Sequence, residues 1–431
     1  MNHSYRDVFC VLLIVSVIFA PVAAEAAWDL EDIYRKEPQR KYEGAVSFFF
    51  VHGYVTAFAQ DFEKDFSTFE RNGDQPLEGA APGLIGGPGN VTLGNSGGSA
   101  SFSHDVGLII GAELNSQLKL LTEQHWVNRN VPGQEDIPFN EIATTQAKVR
   151  WQPWEDQPYR ITAGRFWSSF AGAQDDLLSA QGNFTHVPNA RSALPYAFND
   201  GLQVDGAYKS DDGRVGINWV VELVNGNENF NGASGGTFDS GNNFDVSGRI
   251  GILPLSFFDS FWAQEFEVGV SYADGTLRED QGSFLSDKDP TDVNAEWDGL
   301  GVDLRYVKDD FNLRGYWIDT DEDLKGGPEL ERTGIMVEGL YRVLDDLGVL
   351  GAADVKLRYD KFERDGILTS AVPGATLDDA RTFEDVRWTY GVNFHPMDQL
   401  KLEFEYSDSD EDGGFNEADD NGFSAALTAS F

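Results

Sequence analysis

Covalent staples are missing from this chain. Its 431 residues contain one cysteine, Cys10, so no disulfide closes within it, and no thiol lies beyond that position to ligate a metal or act as a nucleophile. Long apolar runs are missing as well. The run from Val8 to Ala20 falls short of the roughly 20 residues that a membrane-spanning helix needs, and no later stretch approaches that length. Basic residues are scarce: 32 Lys and Arg stand against 72 Asp and Glu, a net charge of −40, which argues against nucleic acid as a partner because phosphates are held by cations. The chain has six histidines, and His52, His104, His125, His186 and His395 are scattered. None belongs to a serine-nucleophile elbow or an H-E-x-x-H metal motif, so the chain reads as a non-enzyme.

What is present begins with a leader. Arg6 precedes the apolar run and Ala24-Glu25-Ala26 supplies a small-residue cleavage site, so residues 1–26 read as a secretory signal peptide, with an uncleaved anchor as the alternative. Cleavage takes Cys10 away, and removing Arg6, Asp7 and Glu25 leaves 31 basic and 70 acidic residues. Residues 27–43 then form a short N-terminal segment. An exported chain without cysteine needs another source of stability, and a sheet closed on itself in lipid provides one, since every backbone group is then paired.

The sequence supports such a sheet. Phe423, Ala425, Leu427, Ala429 and Phe431 occupy every second position, with Gly422, Ser424, Ala426, Thr428 and Ser430 between them. A period of two gives one face to something apolar and the other to something wet or small. The same alternation pairs Leu400, Leu402, Phe404 and Tyr406 with Lys401, Glu403, Glu405 and Ser407. Read this way, residues 44–431 resolve into about sixteen strands, near 45–60, 102–114, 117–127, 141–152, 159–168, 200–209, 214–226, 243–253, 264–275, 297–308, 311–320, 332–344, 353–364, 383–395, 399–409 and 421–431. Short turns such as Ser210-Asp211-Asp212-Gly213 alternate with long polar connections at 61–101, 128–140, 169–199, 227–242, 276–296, 321–331, 365–382 and 410–420. Pro254 to Ala263 reads as an oversized aromatic turn suited to a membrane interface. A soluble β-sandwich also alternates, but it would turn its apolar face inward.

The terminal aromatic strand, the strand count and the alternation of short and long connections resemble Gram-negative outer-membrane porins. The resemblance implies an all-β, transmembrane antiparallel β-barrel of about 16 strands in the outer membrane, with short periplasmic turns and long external loops. It further implies passage of small hydrophilic solutes, contact with outer-membrane lipid and lipopolysaccharide, and a homotrimer. The connection 169–199 follows the fifth strand. In porins that position belongs to a loop that folds into the lumen and constricts it, so the resemblance implies the same here, against the alternative of an ordinary external loop.

Sixteen strands enclose a lumen too wide for their own side chains to fill, and residues 27–43 are too few for a plug. A channel open or narrowed by a loop follows. By alternation the lumen wall carries nearly balanced bases and acids. Asp175 and Asp176 of the connection, with Arg191 and the wall residues Arg150, Arg160 and Arg305, are the candidate constriction residues.

Residues 61–78, 274–298, 319–332 and 408–420 hold 27 acids and six bases, a net charge of −21. A negative mouth concentrates cations, so modest cation preference is expected; surface solubility is the plainer account. Asp408, Asp410 and Asp412, with Gly413 and Asp419, resemble a calcium loop except that Asp replaces the final Glu, so calcium in an external loop is weighed against a solvated hairpin, and no other cofactor is expected. Two other functions stay open. Gly164-Arg165-Phe166-Trp167 and Asp200-Gly201-Leu202-Gln203 faintly resemble the phosphate-selective porin family, which implies a channel specific for an anion or small organic acid. A barrel sheathing a protein partner is the other.

Overall fold

The structure, a computed structural model, describes residues 49–63, 101–115, 117–129, 141–154, 159–172, 184–185, 188, 190, 193, 198–210, 212, 214–225, 244–254, 265–278, 294–323, 329–365, 383–397, 399–412, 418–419 and 421–430. They form one sheet. In chain order its strands are β1 (Phe49–Glu63), β2 (Ser101–Asn115), β3 (Leu118–Arg129), β4 (Glu141–Trp151), β5 (Tyr159–Trp167), β6 (Phe198–Lys209), β7 (Gly216–Val224) and β8 (Asp245–Leu253). There follow β9 (Glu265–Arg278), β10 (Asn294–Lys308), β11 (Phe311–Asp323), β12 (Glu329–Leu344), β13 (Ala352–Asp365), β14 (Phe383–Met397), β15 (Leu400–Asp412), β16 (Ala418–Asp419) and β17 (Asn421–Ser430).

Each long strand pairs antiparallel with its sequence neighbours, and β1 pairs with both β2 and β17, which closes the ring. The seam runs from Tyr54 opposite Ser430 to Glu63 opposite Asn421, with the hydroxyls of Thr56 and Thr428 3.0 Å apart. β16 is a two-residue step against β15 beside the longer β15–β17 pairing, so sixteen strands make the wall. All sixteen sequence-predicted strands exist. Their ends differ by a few residues, most visibly at β11 and β12, where pairing from Glu296 to Asp323 and from Asp323 to Glu329 carries the wall into what the sequence assigned to a long connection. The aromatic turn at Pro254 to Ala263 lies almost wholly outside the described residues.

The two faces separate as the period of two requires. Along β9, Val268 and Val270 are exposed while Glu267 and Ser271 are buried; along β13, Val355 and Leu357 are exposed at 43% each while Lys356 and Arg358 are at 4% and 1%. Apolar side chains therefore cover the outside and charged ones sit inside. That order is the reverse of a sandwich and is the one a barrel in lipid needs, because water is the solvent of the lumen and hydrocarbon that of the rim. Outward aromatics pack against one another, with Tyr359 and Trp388 at 4.9 Å and Trp388 stacked on Tyr390 at 6.4 Å between ring centroids.

Candidate pore constriction

The lumen wall neutralises its charges sideways, strand to strand. Arg249 on β8 reaches Asn218 on β7 at 3.2 Å, Glu267 on β9 at 2.6 Å and, through Nε, Asp303 on β10 at 2.9 Å. Glycines make the room. A Cβ on Gly269 would collide with the Arg249 guanidinium, and one on Gly391 would sit 2.6 Å from Cε of Lys356, so these positions admit a long side chain lying flat along the wall. Lys356 on β13 bridges Glu403 at 3.1 Å and Glu405 at 2.6 Å on β15, with both partners fully buried. Arg358 lies between Glu338, at 3.9 Å, and Asp360, at 3.5 Å.

Against this wall lie the described parts of the connection between β5 and β6. At its root, the Ser169 N–H donates to Glu222 at 2.9 Å and the Ala171 N–H donates to the Ser271 hydroxyl at 2.9 Å. Further along, the Thr185 N–H donates to Glu405 at 2.7 Å, and the Thr320 hydroxyl donates to the Ala193 carbonyl at 3.0 Å. Glu222, Ser271, Thr320 and Glu405 are buried and sit on the face opposite the exposed valines and leucines, so these contacts are made inside the ring. Packing reinforces them. Phe170, Ala171, Ala190 and Ala193 form one apolar cluster with Ala273, Trp297, Tyr316, Ile318 and Met336 of β9 to β12. Gly301 keeps the wall flat there, since a Cβ on it would stand 2.7 Å from that of Ala171.

The sequence-predicted residues divide. Asp175, Asp176 and Arg191 lie outside the described residues. Arg150 is half-buried on β4, directly across from Lys119 of β3. Arg160 is bound to Asp205 at 2.7 Å and Arg305 to Glu265 at 3.1 Å, both near strand ends that carry short connections. Lys356 and Arg358 of the wall meet the described connection through Phe184, whose ring centroid is 4.8 Å from Lys356 Nζ and 4.3 Å from Arg358 Cζ. Those contacts, and the inward Trp297, Tyr316 and Ile318, escaped sequence reasoning. The available signal was apolar residues at lumen positions of a strand whose other face is also apolar, as with Tyr316 and Ile318 beside Trp317.

The calcium expectation meets a different backbone. Asp408, Asp410 and Asp412 run along the extended strand β15, and Asp410 faces Asp419 across the ladder. At about 3.3 Å per residue, the first and third are about 13 Å apart along the strand, where a calcium loop would wrap them around one ion. Among the described residues no group of three or more such ligands is placed to hold a metal.

Comparison with known proteins agrees with this architecture. Solved structures share the fold, among them three outer-membrane proteins. The outer membrane protein OmpT of Vibrio cholerae lacking loop L8 is 11% identical, with 89% of this chain and 99% of that one covered at a TM-score of 0.50. The outer membrane channel DcaP of Acinetobacter baumannii is 13% identical, with 89% and 97% covered at 0.50. OprB of Pseudomonas putida is 11% identical, with 89% and 94% covered at 0.52. No curated protein matches the chain. The sequence profile of the phosphate-selective porins O and P matches residues 126–430, which take in the wall from the end of β3 to β17 and the connection inside it. The chain is therefore a member of that porin family, an outer-membrane channel built as a closed sixteen-stranded barrel.

Proposed function

We propose that this porin is a water-filled path for passive diffusion of small hydrophilic solutes, with a modest preference for cations, working as a homotrimer. The observation that carries the reading is where charge is and is not cancelled. Inside, Arg249, Lys356, Arg358 and Arg160 are each matched by buried carboxylates, so the wall offers dipoles more than net charge. By sequence, the segments 61–78, 274–298, 319–332 and 408–420 sum to a net −21, shared between the ends of β1, β9 to β12 and β15 and the connections beyond them. A negative mouth above a balanced wall raises local cation concentration, and the effect fades with salt as the Debye length shrinks from about 30 Å at 0.01 M to about 10 Å at 0.1 M.

A second reading has support of its own. The matched family is described as phosphate-selective, and Lys119 faces Arg150 across β3 and β4 with Lys148 nearby on the same inner face, a row of basic side chains along the lumen. Zero-current potentials in a planar bilayer under a potassium chloride gradient separate the two. Cation preference that declines from low to high salt supports the first reading, anion preference the second, and absence of conductance overturns both. Threefold conductance steps would support the trimer.

A further inference from the structure

We infer that Glu405 is a positioning residue that latches the lumen connection to the wall opposite its root and thereby sets the width of the bore; this rests on the channel reading above. The connection leaves the wall at β5. Its residues Phe184 and Thr185 meet β13 and β15, and β13 stands eight places from β5 in the ring of sixteen, half the circumference away. Root contacts such as Ser169 to Glu222 follow from chain connectivity, because Ser169 is two residues past the end of β5. The far contacts have no such tether and join residues 220 and 239 apart in sequence.

The latch is a set of interlocking buried groups. Glu405 is 1% exposed and takes two donors from one residue, the N–H and the hydroxyl of Thr185. The Thr185 hydroxyl also lies 3.0 Å from that of Ser424 on β17. Lys356 donates to the Glu405 carboxylate at 2.6 Å. The ring of Phe184 covers the cations of Lys356 and Arg358, a contact whose strength grows as water is excluded. A buried carboxylate with a charged partner makes stronger hydrogen bonds than a neutral acceptor, so Glu405 rather than the surrounding hydroxyls decides whether the seat is filled. Losing it leaves the buried Thr185 N–H without that acceptor and Lys356 paired with Glu403, so the seat no longer holds the connection.

Single-channel recording of the full-length protein in planar bilayers tests this. Glu405→Ala should raise conductance about 1.5- to 3-fold over the native channel and add current noise, because the bore is then bounded by a loose segment. Thr185→Ala, which leaves the wall intact, should move both readouts the same way by less, and it carries the test if Glu405→Ala yields no barrel. The chain has no cysteine after Cys10, so Thr185→Cys with Ser424→Cys places a single new thiol pair at the seat. In the Glu405→Ala background the oxidised pair should return conductance and noise to native values, and reduction should undo this. A native channel that conducts while Glu405→Ala and Thr185→Ala match it would overturn the latch. A native protein that does not conduct would overturn the channel reading, and the latch would then stand or fall on whether the two introduced thiols crosslink in the folded protein.

Discussion

The barrel wall repeats one instruction sixteen times, whereas the connection inside it is fixed by a few unlike contacts. Along the middle of β9 and β13 the outward Val268, Val270, Val355 and Leu357 are apolar and exposed, and no single one decides the outcome. The connection instead depends on Glu222, Ser271, Thr320 and Glu405, each receiving a particular donor or giving one. The difference teaches that the wall is governed by patterning and tolerates exchange within a face, while the connection is governed by individual buried hydrogen-bond partners and does not. A lumen charge belongs to both classes, being set by the pattern and held by a specific partner.

The sharpest test of that comparison is a wall residue that behaves like a connection residue. Arg249→Ala leaves the buried Glu267 and Asp303 without their shared cation, and the expected loss is about 3–5 kcal/mol in denaturant unfolding of the protein folded into lipid vesicles. A loss below about 1 kcal/mol would mean that water in the lumen replaces the guanidinium. Next comes the outward face. Val270→Lys puts a charge on an exposed position of β9 and should cost about 2–4 kcal/mol if that site lies near the bilayer midplane. The same unfolding assay run on a tolerated result would show that Val270 faces water.

Thr320→Val keeps the shape but removes the donor to the Ala193 carbonyl, for about 1 kcal/mol by the same assay. The smallest effect belongs to a turn. The Asp212 carboxyl is held below the usual range first by the Ser210 hydroxyl and then by the Arg214 N–H. Its contribution to stability is full above the ordinary carboxylate pKa and is lost as pH falls through the lowered one, so the gap between native protein and Asp212→Asn should narrow in acid. A gap constant with pH would assign the turn's stability to other groups.

Strand number, strand order and the assignment of faces were legible in the sequence because each depends on a period visible within one strand. Val386, Trp388 and Tyr390 declare the outside of β14 without reference to a neighbour. The partners of the lumen charges were not legible. Arg249 stands across from Ser271 in the ladder but reaches past it to Glu267 and on to Asp303, a slant that arises from how neighbouring strands are offset. Register also shifts where pairing is irregular, between Glu113 and Asn115, Glu123 and Gln124, Arg342 and Leu344, and Phe394 and Met397. No periodicity marks those steps. Position in the strand order singled out the connection between β5 and β6, but the lumen contacts of its described parts with Lys356 and Arg358 through Phe184 carry no mark in the sequence.

The seam between β1 and β17 has a consequence for how the molecule comes to exist. Thr56 and Thr428 touch across 372 residues of chain, so the seam is the longest-range pairing described in the ring and closes it by joining the two ends of the wall. In hydrocarbon a ring lacking one member is not a smaller ring, because both rims beside the gap would leave ten residues of backbone unsatisfied where no water can reach them. Such long-range closure is slow, and the open intermediate is the state most exposed to pairing with another chain's edge. Weakening that one junction should therefore impair closure of the ring more than an equal loss within a hairpin, a difference that refolding yields into lipid vesicles would measure.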